Sequence, residues 1–276
     1  MATYATWRGG GTYSAIVVSG GLDTKGSYTE VSASTSFNSS KCWVGNNGST
    51  AGNVYLYDIA TGAAASETVR VDNVMICGPS LETYGAGLVQ LEFDIASGTR
   101  IAARCQSSTS GADQIAMWIL QENRATASLP DPETYGITTA TTEGVTVDPG
   151  AVADTKGAYA EITASTAADH DVFLIMVGNN ANTAAAATNW NMDLASGAGG
   201  AESIIVPDLS FVCGTASDTV LPSVTRVELA ISSGTRLAAR SMCGITDATD
   251  RLFMVSLIGM DTVATGGGGA SAYAFA

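Results

Sequence analysis

Leu88-Val89-Gln90-Leu91-Glu92-Phe93-Asp94-Ile95 alternates apolar with polar residues, the period of two that marks a strand with one face buried. Ala96-Ser97-Gly98 interrupts the pattern, and residues 99–106 resume it. Glycine in a three-residue connection supplies the positive φ that a tight turn needs, so this segment predicts a β-hairpin. The pattern returns at Val227-Glu228-Leu229-Ala230-Ile231, Ser232-Ser233-Gly234 and Thr235-Arg236-Leu237-Ala238-Ala239-Arg240. Further strands are predicted at residues 28–33, 41–44, 54–59, 67–77 and 114–121, with counterparts at 159–164, 172–177, 189–194, 203–212 and 252–258. Glycine- and asparagine-rich turns separate them, without the alternation of strand and helix that marks a parallel sheet. Roughly eight short strands in about 110 residues predict an all-β fold. The expected architecture is two tandem homologous β-sandwich domains of jelly-roll-like type, with an immunoglobulin-like sandwich as the alternative topology.

The duplication is written in blocks. Asp23-Thr24-Lys25-Gly26-Ser27-Tyr28-Thr29-Glu30 returns as Asp154-Thr155-Lys156-Gly157-Ala158-Tyr159-Ala160-Glu161. Val44-Gly45-Asn46-Asn47 returns as Val177-Gly178-Asn179-Asn180, and Ser97-Gly98-Thr99-Arg100 as Ser233-Gly234-Thr235-Arg236. The order is kept and the offset grows slowly, as expected of one module copied in tandem with small loop insertions. A repeat this long is a whole domain, far above the ~20–50 residues of a solenoid unit. The division that follows is an N-terminal arm at 1–11, module one at 12–121, a linker at 122–145 with two prolines, module two at 146–261, and a flexible C-terminal tail at 262–276. The two ends place aromatic residues beside glycine runs: Trp7 at one, Tyr273 and Phe275 at the other.

Composition narrows the function. Charged residues make up 14% of the 276, against about 25% in a typical soluble domain. Twelve basic against 26 acidic residues give a net charge of −14, with no basic stripe to neutralise phosphates, so no nucleic-acid role is expected. The apolar runs have strand length, well short of the ~18 residues of a membrane span. The first residues lack the charged and apolar regions of a signal peptide, so synthesis in a cytoplasm is expected. Five cysteines, none in a C-x-x-C pair, predict free and mostly buried thiols acting as small hydrophobes.

Candidate chemistry is sparse. His170, the single histidine, lies in Asp169-His170-Asp171 and reads as a solvated turn; a metal site would need a second histidine or a cysteine partner. The acids Asp23/Asp154, Glu30/Glu161, Asp58/Asp193, Glu67/Glu202 and Glu92/Glu228 recur in both copies. One active site would not require that, and turn capping or solvent-facing strand positions explain it. Glycoside hydrolysis by paired carboxylates, a Ser-His-Asp triad and nucleotide binding find no motif. No catalytic residue, metal or cofactor is assigned, and the chain is expected not to be an enzyme. Arg100/Arg104 and Arg236/Arg240 are spaced by four, which on a strand puts both guanidinium groups on one face. Glu92 and Glu228 on the neighbouring strand are the expected partners; contact with an acidic neighbour is the alternative.

The blocks Tyr159-Ala160-Glu161-Ile162-Thr163-Ala164-Ser165-Thr166 and Ser97-Gly98-Thr99-Arg100-Ile101-Ala102-Ala103-Arg104 resemble a module found in structural proteins of tailed bacteriophages. Residues 58–67 and 193–202 match its middle block, while Val71-Asp72 departs from the proline that Pro207 keeps. The resemblance implies a non-catalytic virion protein, foremost one that decorates the capsid. A tail fibre or tail-associated receptor-binding protein is the alternative within that class, and a carbohydrate-binding module outside it. It also implies homo-oligomers, contacts with the major capsid protein or tail proteins, and no membrane or nucleic-acid partner; a host-surface glycan remains open. Trp7, Arg100, Arg104, Arg236, Arg240, Tyr273 and Phe275 are the candidate assembly contacts. For sugar binding, Trp43, Trp118 and Trp190 lie within the modules but do not recur at matching positions.

Overall fold

The structure is a computed structural model that describes residues 4–8, 15–48, 54–77, 88–109, 113–179, 188–213, 220–221, 223–245 and 251–262. Among the described residues all regular structure is β. In chain order the strands are β1 (Tyr4–Arg8), β2 (Ala15–Leu22), β3 (Thr29–Ser32), β4 (Cys42–Gly48), β5 (Val54–Thr61), β6 (Thr68–Cys77), β7 (Leu88–Leu91), β8 (Ile101–Ser107) and β9 (Gln114–Glu122). They continue as β10 (Glu133–Tyr135), β11 (Val145–Val147), β12 (Ala160–Thr163), β13 (His170–Asn179), β14 (Thr188–Ser196), β15 (Ser203–Cys213), β16 (Val220–Leu221), β17 (Val224–Ile231), β18 (Leu237–Cys243) and β19 (Phe253–Met260).

Pairing is repeated between the two halves. In the first, β4 lies between β7 and β9, and β1 and the start of β2 pair with the far side of β9. This is the β9 layer. The β8 layer is β3-β8-β5-β6. In the second half, β17-β13-β19 with β10 and β11 forms the β19 layer, and β12-β18-β14-β15-β16 the β18 layer. The correspondence is strand for strand: β1 with β10, β2 with β11, β4 with β13, β7 with β17, β9 with β19. Strand β2 differs in one respect, since it leaves β9 after Val18 and runs parallel to β8 from Ser19. That bend joins the two layers of the first half into one curled nine-stranded sheet.

The expected hairpins do not form. β7 pairs with β4 and β8 with β5, so the segment between them crosses from one layer to the other. The second half repeats this, β17 pairing with β13 and β18 with β14. The turn itself is present, with Gly98 and Gly234 at φ 81° and 82°. A loop far along the chain closes it. Thr35 Oγ1 donates to the Ala96 carbonyl and accepts from the Thr99 amide. Thr166 Oγ1 makes the same pair with the Ser232 carbonyl and the Thr235 amide. Alternation identified the strands, but each strand needs an apolar layer opposite it, and that requirement sets the partner.

Residues read from the sequence as an arm and a linker carry strands. β1 is an edge strand beside β9, with Trp7 opposite Ile119, and β10 fills the same place beside β19. The hydrophobic core is one cluster that runs through both halves, so the halves are joined by more than a linker. β5 and β19 are buried along their whole lengths, as strands are when both faces meet protein.

Candidate functional site

The four candidate arginines are held inside the chain in two ion-pair knots per half, each repeated at the matching place in the other half. Arg104 Nε bonds the Asp58 carboxylate at 2.7 Å and its guanidinium lies 4.8 Å from the Tyr28 ring. Lys25 Nζ reaches the other Asp58 oxygen at 2.7 Å, and the Asn73 amide, at a backbone bulge with φ 51°, donates to it as well. Arg240, Asp193, Tyr159, Lys156 and the Asp208 amide repeat the arrangement. Arg100 joins Glu30 and Glu67, and Arg236 joins Glu161 and Glu202. The expected partners were Glu92 and Glu228. Both belong to the opposite layer, where Arg226 reaches each of them at 3.1 Å.

Asp58 and Asp193, expected on the solvent face, are 2% exposed. Burial raises the Asp193 carboxyl, but Lys156, the Asp208 amide and Arg240 outweigh it and hold the group below its ordinary value. Burial lowers the Lys25 ammonium, with Asp58 opposing. A buried carboxylate with three donors is what a sheet uses to fix a bulge and two neighbouring strands at once.

The halves meet along β6. The Met75 amide donates to Met176 Sδ at 3.1 Å, and Ser256 Oγ approaches Met75 Sδ at 3.9 Å. Glu92 takes Arg226 across the seam, Arg70 takes Asp131 at 2.7 Å, and Gln106 donates to the Thr139 carbonyl and Thr142 Oγ1. An open cleft of about 550 Å³ lies along this seam, lined by Lys25, Asp58, Arg70, Asp72, Arg104 and Glu133 among others. Its three cations are engaged with Asp58 or Asp131.

The seam covers one outer sheet face and leaves its counterpart open. On the β19 layer, Leu174, Met176, Met254, Ser256 and Ile258 are at most 2% exposed. The same positions of the β9 layer carry Lys41, Trp43, Trp118, Leu120 and Glu122, all part-exposed. The registers establish the match: Gly45 pairs Trp118 where Gly178 pairs Met254, and Trp43 pairs Leu120 where Met176 pairs Ser256. Leu88 lies beside Gly45 and is 55% exposed, and Ile16 beside Ala116 is 46% exposed. Among the described residues, a sheet face that exposes Leu88 and Ile16 beside part-exposed Trp43, Trp118 and Leu120 is a candidate contact surface.

The opposite outer face, on the β18 layer, is polar at two matched positions, although Val212 on the same face is 50% exposed. Leu56 and Met75 sit on the buried outer face of the β8 layer. Their counterparts in register are Asn191 and Ser210, which are part-exposed and exposed.

Other candidates fall elsewhere. Tyr273 and Phe275 lie outside the described residues, and of Trp7 only the backbone pairing is described. His170 is not in a solvated turn. It is 4% exposed in β13, against the backbone of Gly259, and its Nε2 meets the Tyr135 hydroxyl at 2.7 Å. Trp190 is no sugar platform: it is 1% exposed and stacked on Phe211. Cys42, Cys105 and Cys243 are buried free thiols, and Cys77 is buried as well. No group of three or more metal-ligating side chains occurs among the described residues. The open face was missed because its residues are spread over β2, β4, β7 and β9. The sequence signal for it is the exchange of Met176 and Met254 for Trp43 and Trp118 between the repeats.

No family model and no curated protein matches the chain. Among solved structures it is similar to PNGF-II, at 9% identity and TM-score 0.36, over 94% of this chain and 66% of that one, so it spans about two thirds of that length. It is similar to PNGase F, a glycosylasparaginase from Flavobacterium meningosepticum, at 8% identity and TM-score 0.32, over 95% and 96% of the two chains. The third likeness is to the CBM22-1-CBM22-2 tandem domain of Paenibacillus barcinonensis Xyn10C, at 10% identity and TM-score 0.24, over 95% and 97%. The expectation that the chain is not an enzyme is therefore withdrawn, because an enzyme stands among the structures that align along its length. At these TM-scores none of the three carries an activity or a ligand over to this chain.

Proposed function

We propose that the chain is a surface component of a tailed-bacteriophage particle, built as a tandem pair of homologous jelly-roll-like β-sandwich units, with the open face of the β9 layer as its contact surface. The observation that carries the contact surface is the contrast between the halves. One scaffold position is buried against protein in the β19 layer, while its equivalent stays apolar and open in the β9 layer. Polar replacement at such positions is compatible with the scaffold, as Asn191 and Ser210 show on the β18 layer. The repeated blocks that resemble phage structural modules support the particle assignment, and the net charge of −14 suits a protein displayed away from packaged nucleic acid.

Gold-labelled antibody against the chain, applied to purified particles of the phage that encodes it, tests the proposal. Label over the head supports a decoration role and label at the tail tip an adsorption role. Particles that carry the chain's peptides in mass spectra at no more than background level, and take no label, overturn it.

A further inference from the structure

The open face contains a feature that a protein-covered face of the same scaffold lacks. Gly45 leaves no side chain between its backbone and the neighbouring strand, and the indole of Trp118 occupies the space where a Cβ would stand, against Cε2, Cζ2 and Nε1 of the ring. The ring therefore lies along the sheet with one face on the Gly45 backbone. Where the equivalent face packs on protein, the partner of Gly178 is Met254, whose methyl sits at ordinary contact distance from that glycine position and shares it with Met75 and Val54 across the seam. Flexible methionines fill the gaps against a strand edge, whereas a planar indole pressed flat offers a rigid stacking surface.

The neighbours of Trp118 add polar reach around an apolar centre. Trp43 is diagonal to it on β4, with Lys41 Nζ 5.9 Å from its ring. Gln90 is the cross-strand neighbour of Trp43, Leu120 lies on its other side, and Glu122 follows along β9. The Gln90 amide donates to Glu92 Oε1 at 2.9 Å and Lys41 Nζ lies 3.7 Å from the same oxygen, so both are fixed at the rim. Two indoles with polar groups beside them combine what a pyranose needs, a ring for its C–H groups and polar partners for its hydroxyls.

We propose that this face binds carbohydrate, an oligosaccharide chain stacking one sugar ring on Trp118, with Glu122 beside it to take hydroxyls, while Gln90 and Lys41 hold the buried Glu92 at the rim. The inference rests on the reading of the β9 layer as the contact surface and names its partner. Within a phage-particle setting, the chemistry fits a glycan of the host envelope.

The test is a printed array of bacterial and plant oligosaccharides probed with the full chain, followed by titration of the strongest responder monitored by tryptophan fluorescence. Saturable binding is expected, weakened about tenfold or more in Trp118→Ala, with Glu122→Gln giving a smaller loss. Trp190→Phe, in the other half, should bind as the parent does, and circular dichroism should show each variant folded. Absence of saturable binding across the array, or binding equal in Trp118→Ala and the parent, overturns the carbohydrate assignment. If Trp118→Ala instead loses its place on particles while the parent binds no glycan, the face is a protein contact: the carbohydrate inference fails and the particle-surface proposal stands.

Discussion

Leu56→Asn puts into the first half the residue that the second half carries at the same register. Leu56 is 0% exposed and shares its face with its cross-strand partners Met75 and Gln106, both of which contact the second half. Removing a fully buried leucine costs about 2–5 kcal/mol, and an amide buried there without partners adds about 1–3 kcal/mol. A loss on the order of 3–8 kcal/mol would consume much of the ~5–15 kcal/mol that a domain of ordinary stability has. The reciprocal change, Asn191→Leu, sits on the part-exposed β18 layer and should move stability by no more than about 0.5 kcal/mol. Urea denaturation of both variants and the parent, followed by far-UV circular dichroism and by tryptophan fluorescence, gives the two differences. Equal effects from the two substitutions, or a Leu56→Asn cost below about 1 kcal/mol, would refute the claim that one half covers the outer face of the other.

Other outcomes follow from the buried groups. Burial lowers the His170 imidazole, against the upward pull of Asp261, Glu133, Asp169 and Asp171, so the folded chain keeps it neutral while the unfolded chain takes up a proton near pH 6.5. Its contribution is present above that pH and is lost as pH falls through the folded value; thermal melts between pH 7.5 and 5 should slope downward, less steeply in His170→Gln. Asp261, whose carboxyl burial raises, acts in the opposite sense nearer the carboxylate range, so the informative quantity is the difference between variant and parent. The thiols of Cys42 and Cys105 are pushed up to about 12 by burial; iodoacetamide at pH 8 should leave both unmodified in the folded chain and label both in urea, and rapid native labelling would contradict their placement. Asp58→Ala strands Lys25 and Arg104, and Asp193→Ala strands Arg240 while Lys156 keeps Asp208. Each should cost about 3–5 kcal/mol in chemical denaturation, and near-neutral values would show that the knots are not structural.

Much of this architecture could be read from side-chain order, and the failures share a cause. Residues 54–59, 67–77 and 172–177 were assigned as strands because apolar runs bounded by turn residues leave few alternatives, and β5, β6 and β13 are there. Partners were a different matter. The turn at Ser97-Gly98 has hairpin chemistry, yet its flanking strands lie in opposite layers because Thr35 closes the loop from far along the chain. Arg104 was matched to Glu92 on the strength of that false hairpin, when its true partner, Asp58, sits on β5. His170 reads as a solvated turn and Trp190 as a candidate sugar platform in sequence, and both are buried; tertiary packing, not local pattern, decides which residues of an apolar-rich chain reach the surface. The repeat itself held the most usable information. Aligning the halves would have exposed Trp118 against Met254 and Leu56 against Asn191, and such exchanges at matched positions record which faces are covered.

Hydroxyl-radical footprinting of the isolated chain, read residue by residue by mass spectrometry, tests the central contrast directly. The account predicts that Trp118 on the β9 layer is oxidised quickly while Met176 and Met254, at the matching positions of the β19 layer and intrinsically just as prone to oxidation, resist until the chain unfolds. Native-state oxidation of both methionines as fast as Trp118 would mean that the second face is open too, and the distinction between a covered and an exposed copy would be gone.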